Sequence, residues 1–284
     1  MERGTRPTAI APLELALGQL IQRYAHFRLP LSSFQRRGPE MHPSRNHLIS
    51  SLSDEHSQLM LPHLEALDLP LRFHAERHGR PVEFVYFPDS GLISIVVDLG
   101  RRHQSEAGSV GWDACTGHSV ILGGGVAITT TYVQIPGRGH RIAAGKFTEL
   151  MNADHSLRSY FVRAAEAFAA QATFTIVTNS RGKLEERLTR WLLMAHDRME
   201  GDIIPITHDL LSVMLGVRRP GVTTALQYLE DRKAVATERG KITVYDRKFL
   251  ERVAGPFYGP AEAAHFRLTG WRPKQTPLLT REAR

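Results

Sequence analysis

Residues 207–246, THDLLSVMLGVRRPGVTTALQYLEDRKAVATERGKITVYD, constrain the fold more than any other stretch of the chain. Two short apolar periodicities of helical spacing meet at Gly216, and two β-like runs follow. Thr207 stands where a helix N-cap belongs, and Asp209 falls in the first turn, where an acid suits the helix dipole. Leu210, Leu211, Met214 and Leu215 make the buried side of that helix, and Gly216 permits a tight turn with positive φ. A second helix is expected from about Arg218 to Asp231. Its Val222, Ala225, Leu226 and Leu229 recur three or four apart and should pack inward. That leaves Arg218, Arg219, Gly221, Thr223, Thr224 and Gln227 toward solvent. Residues 235–244 read as a hairpin turning near Arg239-Gly240, with Lys241 beside the tip.

This is the sequence shape of a winged helix-turn-helix, which lays its second helix in the major groove of double-stranded DNA. Arginine can grip guanine with two hydrogen bonds, glutamine can pair with adenine, and threonine can touch phosphate or a thymine methyl. A basic hairpin at the wing position would meet the phosphate backbone or the minor groove. An ordinary helical hairpin with a small sheet explains a helix–Gly–helix pattern by itself. The capping threonine, the basic first turn and the hairpin together favour DNA binding. A net charge of +7 suits an anionic partner, although salt-dependent binding requires the charge to be clustered.

The composition of the 284 residues, 42% hydrophobic and 23% charged, fits a folded globular protein, and the mixture of helical and β-like runs makes the expected fold class α+β. Residues 1–42 read as an extension with one amphipathic stretch over 13–24 and a basic loop at Arg36, Arg37, Gly38 and Pro39. Two short helices are expected within 46–67, with Ser53 as an N-cap. β-like runs follow at 82–87, 92–97, 126–135 and 140–143, and Gly- and Pro-rich breaks separate them. Such spacing indicates an antiparallel sandwich, barrel or jelly roll. A long helix should run from about Ser156 to Thr178 and break at residues 179–182. Leu157, Phe161, Ala164, Phe168, Gln171 and Thr175 form a heptad-like stripe along it. Burial within one domain and pairing with a copy of the same helix both account for that stripe. A further helix is expected over 183–199.

The single cysteine, Cys115, excludes an intrachain disulfide and a cluster or zinc site built on several cysteines of one chain. No apolar run approaches the ~20 residues of a membrane span, no signal peptide is expected, and a cytoplasmic location fits. His74 and His78 lie four apart, but in a strand-like context that does not favour a shared metal. No nucleophile–base arrangement suggests an enzyme.

In this order, the β-rich stretch with VYFPDSGLISIV, the long helix, LEERLTRWLLMAHDR and the winged helix-turn-helix resemble the Crp/Fnr family of bacterial transcription regulators over residues 46–258. The resemblance implies an antiparallel, jelly-roll-like β-roll sensor domain of the cyclic-nucleotide-binding type at 43–155 and a dimerisation helix and hinge at 156–182. A DNA-binding domain at 183–258 and a C-terminal tail at 259–284 would follow. It implies a homodimer on a two-fold promoter operator, contact with RNA polymerase, and a dimer seam carrying Leu157, Phe161, Ala164, Phe168 and Gln171. Trp112, Asp113 and Cys115 fall where the family's ligand pocket would be. Family members that bind cyclic AMP carry a Gly-Glu pair and a later Arg followed by Ser or Thr. Here Gly111-Trp112-Asp113 replaces that pair, and no Arg occurs between Arg102 and Arg138. An uncompensated cyclic phosphate is a poor guest, so cyclic AMP is not expected, and Cys115 alone cannot hold the iron–sulfur cluster of the family's oxygen-sensing members. The alternative is a β-roll that binds a small molecule or a protein, with a vestigial DNA domain.

Overall fold

The computed structural model describes residues 44–100 and 104–274. The expected extension over 1–42 lies outside the described residues. Two short helices, α1 (His47–Ser50) and α2 (Asp54–Met60), open the described chain. Asn46 and Ser53 cap them through their side chains. β1 (Glu65–Leu69), β2 (His74–Glu76), β3 (Phe84–Pro88), β4 (Leu92–Asp98), β5 (Gln104–Val110), β6 (Thr130–Ile135) and β7 (Gly137–Ala143) build two antiparallel sheets. Their strand orders are β1-β7-β3 and β2-β6-β4-β5. α3 (His118–Ile121) interrupts the strands between β5 and β6.

Strand alternation explains where each sheet packs. In β4, Ile93 and Ile95 face the roll interior with Val110 and Val133, while Leu92 and Val96 face outward and join the core of the C-terminal unit. This strand is therefore buried on both faces, which is why it reads as a continuous apolar run. The first sheet closes on α4 (Ala144–Ala153) and on the long helix α5 (His155–Arg181). Phe87, Phe147 and Phe161 meet edge to face there, with the last two centroids 4.8 Å apart. Asp154 caps α5 by accepting from the amides of Ser156 and Leu157.

α6 (Leu184–Asp197) follows, then β8 (Ile203–Ile204), α7 (His208–Met214), α8 (Arg219–Glu230), β9 (Val235–Glu238), β10 (Lys241–Val244) and α9 (Arg247–Ala254). The wing is a three-stranded sheet in the order β8-β10-β9. α6 is buried nearly all round from Leu188 onward, because the β-roll covers one side and α7, α8 and α9 cover the other.

Several expectations need correction. Residues 65–67 belong to β1, not to a helix. β5 is strongly polar as a sequence, QSEAGSV, and escaped the alternation test. Val126 makes only an isolated bridge to Pro81, and β6 begins at Thr130. α5 runs through residues 179–181 and breaks at Gly182, whose backbone is extended. The expected tail contains a helix: α10 (Pro260–Thr269) lies along α5, and His47 Nε2 meets Thr269 O at 2.8 Å.

Candidate nucleic-acid interface

Thr207 Oγ1 accepts from the amide of Leu210 at 3.2 Å and closes the start of α7. Gly216 takes φ +61 in the turn, a conformation costly for any residue with a Cβ. Arg218 is the N-cap of α8 with extended backbone, and Arg219 begins the helix with Pro220 behind it. Pro220 is harmless there because a first-turn N–H has no partner inside the helix. The inward set Val222, Ala225, Leu226 and Leu229 is buried.

Arg218, Arg219, Thr223, Thr224 and Gln227 are exposed on α8. The Arg219 guanidinium lies 3.5 Å from Asp209, Thr223 touches His208 at 3.2 Å, and Gln227 donates to Asp231 at 2.9 Å. These contacts are all at the surface, where ion pairs and hydrogen bonds exchange easily for those of a ligand. Gly221 differs from the others. A Cβ there would stand 3.1 Å from the Leu184 side chain, so this glycine lets α8 approach α6 and does not face outward as expected. At the wing, Arg239 is exposed at the turn, whereas Lys241 is paired with Glu238 at 3.0 Å, which offsets part of the hairpin's positive charge.

The stripe expected to pair two copies of the long helix packs inside one chain. Leu157, Phe161 and Ala164 are buried in the core beneath the first sheet. Phe168 stacks on His118 with centroids 4.1 Å apart, and burial pushes that imidazole down to about 4. Gln171 Oε1 accepts from the amide of Ser109 at 2.7 Å, and its Nε2 donates to Ser109 O. The outward face of α5 is a different stripe of heptad spacing: Val162, Glu166, Ala169, Thr173 and Ile176, with Val162 38% and Ile176 68% exposed.

The three residues placed at a ligand pocket are likewise structural. Cys115 is buried, and its surroundings push the thiol far up, so it stays protonated. Trp112 lies under the Arg45 guanidinium at 5.0 Å. Asp113 is fully buried and takes the guanidinium of Arg198, the C-cap of α6, through two parallel hydrogen bonds, at 2.9 and 2.6 Å. Burial alone would raise its pKa, but Arg198 outweighs that and holds the carboxyl below its usual range. His78 turns its Nδ1 to Ile128 O, and among the described residues no group of His, Cys, Asp or Glu could hold a metal ion. No helix among them is long and apolar enough to cross a membrane.

Sequence reasoning missed the arginines that fix α6. Arg187 bridges Asn179 of α5 and the carbonyl of Leu215 in the helix-turn-helix turn. Arg190 donates to Phe257 O, Thr175 Oγ1 and Gln171 O. Arg247 joins Asp197 at 2.7 Å and Tyr258. The one available signal was their position: Arg187 and Arg190 adjoin Leu188 and Trp191 on the apolar face of α6, and Arg198 follows its last turn.

Residues 186–253 match the model of the Crp-like helix-turn-helix domain. Among solved structures, the chain is similar to FixK2 from Bradyrhizobium japonicum, at 13% identity and a TM-score of 0.60 over 68% of this chain and 98% of that one. It is also similar to a CRP/FNR-family transcriptional regulator from Thermus thermophilus, at 19% identity and a TM-score of 0.53 over 67% and 98%. A third is the c-di-GMP-responsive global regulator CLP of Xanthomonas campestris, at 15% and 0.53 over 68% and 99%. No curated protein sequence matches the chain significantly.

Proposed function

We propose that this chain, a transcription regulator of the Crp/Fnr type by its helix-turn-helix domain and its fold, acts as a homodimer that reads a two-fold promoter operator and does not respond to cyclic AMP. The observation that carries the DNA reading is the first turn of α8: Arg218, Arg219 and Thr223 stand exposed on a helix that is anchored behind by Gly221, Val222 and Leu226. The partner surface we assign is the outward stripe of α5, Val162, Ala169 and Ile176 with Glu166 and Thr173 between. Its 4–3 spacing suits helix pairing, and it lies on the side away from the β-roll. Two such α8 helices would meet half-sites about one DNA turn, ~34 Å, apart. Contact with RNA polymerase belongs to the same reading.

Three features support the absence of a cyclic-AMP response. Asp113, at the place of the family's ribose-binding Glu, is committed to Arg198. Phe168 and His118 stack between α3 and α5. No arginine stands between residues 104 and 137 to meet a phosphate. The β-roll would then take another signal, or none.

Promoter pull-down with sequencing tests the reading. A discrete two-fold site is expected, with affinity falling steeply as salt rises. Arg219→Ala should weaken that site by about 1–3 kcal/mol and relax its sequence preference. Recovery of no enriched sequence, or an unchanged footprint with Arg219→Ala, refutes it.

A further inference from the structure

β5 carries an acid into the seam between the β-roll and the DNA-binding unit. Glu106 projects from the outer face of the second sheet, is fully buried, and faces Trp191 of α6. One carboxyl oxygen accepts the indole N–H at 2.9 Å. The other lies 2.6 Å from Ser94 Oγ, which lies 2.6 Å from Gln134 Oε1. A serine hydroxyl has one proton to give, yet Ser94 faces two acceptor oxygens.

Two arrangements resolve this. A neutral Glu106 donates to Ser94, which donates to Gln134 Oε1. An ionised Glu106 accepts from Ser94 instead, and the Gln134 amide must reverse to donate through Nε2. Gln134 Oε1 toward Ser94 fits the neutral acid, and the reversed amide, which would also give the unpartnered Nε2 an acceptor, fits the ionised one.

The charged and titratable groups around Glu106 do not pair with it. From α6 and its C-cap, Arg198 is committed to Asp113, Arg190 to carbonyls and Thr175, and Arg187 to Asn179 and Leu215 O. From β6, Tyr132 is pushed up to about 12 by its own burial and by Glu106. α5 and α7 present Thr175, Thr178, Asn179, Met214 and Leu215, none of which titrates. Burial accordingly pushes Glu106 up to about 7, against the hydrogen bonds that Ser94 and Trp191 can give its ionised form and against the more distant arginines. A small cavity lined by Glu106, Asn179, Arg187, Trp191 and Leu215 lies beside the carboxyl, next to the α5–α6 break and the helix-turn-helix turn, with room for a water molecule.

We propose that Glu106 is a proton-linked latch between the β-roll and the DNA-binding unit. Neutral, it closes the seam against Trp191. Ionised, it reverses Gln134, draws water into the adjoining cavity and loosens α6 from the sheet beside the turn that aims α8. Because the closed form favours the protonated acid, its advantage is full below the ordinary carboxyl range and is lost as pH rises toward neutrality and beyond. Each pH unit in that window shifts the closed-to-open ratio by up to about tenfold. Only the consequence for DNA rests on the regulator reading.

Hydrogen exchange of the full chain, corrected for intrinsic rates and run from about pH 6 to about pH 8.5, reads the latch directly. Residues 104–110 and 188–195 should lose protection with rising pH in the wild type and keep it in Glu106→Gln, whose amide reproduces the hydrogen bonds of the neutral acid. Identical profiles overturn the proposal. Trp191→Phe removes a bond that favours the charged form, so the midpoint should move to higher pH. An unmoved midpoint also overturns it, and this variant decides the matter if Glu106→Gln does not fold. Operator affinities of wild type and Glu106→Gln should agree at the acid end and separate at the alkaline end. If they stay equal while exchange differs, the link to DNA is refuted. If no DNA is bound at any pH, the regulator reading fails and the exchange profile still decides the latch.

Discussion

Removing the Asp113 carboxylate should be among the most damaging single changes in the chain. Asp113 is 0% exposed, and its partner Arg198 leaves 3% of its side chain accessible. Arg198 gives two hydrogen bonds to the carboxylate, one to Met194 O at 2.8 Å, and stands 5.5 Å over the Trp271 ring. His265 lies 3.6 Å from the carboxylate, but burial pushes its pKa down to about 4, so it is neutral at pH 7 and is no second cation. Asp113→Ala therefore strips a buried guanidinium of the carboxylate it is bonded to, leaving only the more distant Asp197 and Glu262. Breaking a buried pair from one side costs about 3–5 kcal/mol, a large share of the roughly 5–15 kcal/mol that holds a domain folded. Chemical denaturation at pH 7, followed by far-UV circular dichroism, reads the loss. The double variant Asp113→Leu/Arg198→Met should recover much of it, because an apolar pair of similar volume avoids both desolvation costs. Since the native carboxyl titrates below its ordinary value, the pair's contribution is present above that value and disappears as pH falls through the native one. A cost under about 1 kcal/mol for Asp113→Ala, or a double variant no more stable than the single, would refute the reasoning.

Two further outcomes follow from the geometry of α5, and one from the cap of α7. Ile176→Glu, alone or with Val162→Glu, should convert the proposed dimer to monomer in light scattering without lowering the monomer's thermal stability, because both residues are exposed within one chain. Phe161→Ala should instead destabilise the fold itself, by roughly 3–5 kcal/mol for a buried aromatic, read by the same denaturation assay. Thr207→Ala should cost about 1 kcal/mol through loss of the α7 cap, seen as faster exchange of the Leu210 amide.

Much of the C-terminal unit was legible because its signals are local. Thr207, Gly216, Pro220 and the spacing of Val222, Ala225, Leu226 and Leu229 act within a turn or two of the backbone, where capping, positive φ and helical period operate without knowledge of the rest of the chain. The strands of VYFPDSGLISIV were visible for a similar reason: a continuous β-branched and aromatic run is buried on both faces wherever it packs. Polar β5 gave no such pattern, because Glu106 and Ser109 are buried by satisfying partners and not by being apolar.

The sequence by itself determined most of the elements, their order and, Gly221 apart, the exposed set on α8. Tertiary structure decided what each face meets. A heptad-like stripe on α5 has no label saying whether its partner is the same chain or a copy, and packing gave Leu157, Phe161 and Ala164 to the chain's own core while leaving Val162 and Ile176 outside. Asp113, Glu106 and the arginines of α6 were likewise ambiguous as letters. The choice between a surface charge, a ligand contact and a buried partner depends on residues far away in sequence, which only the folded chain brings within hydrogen-bonding distance.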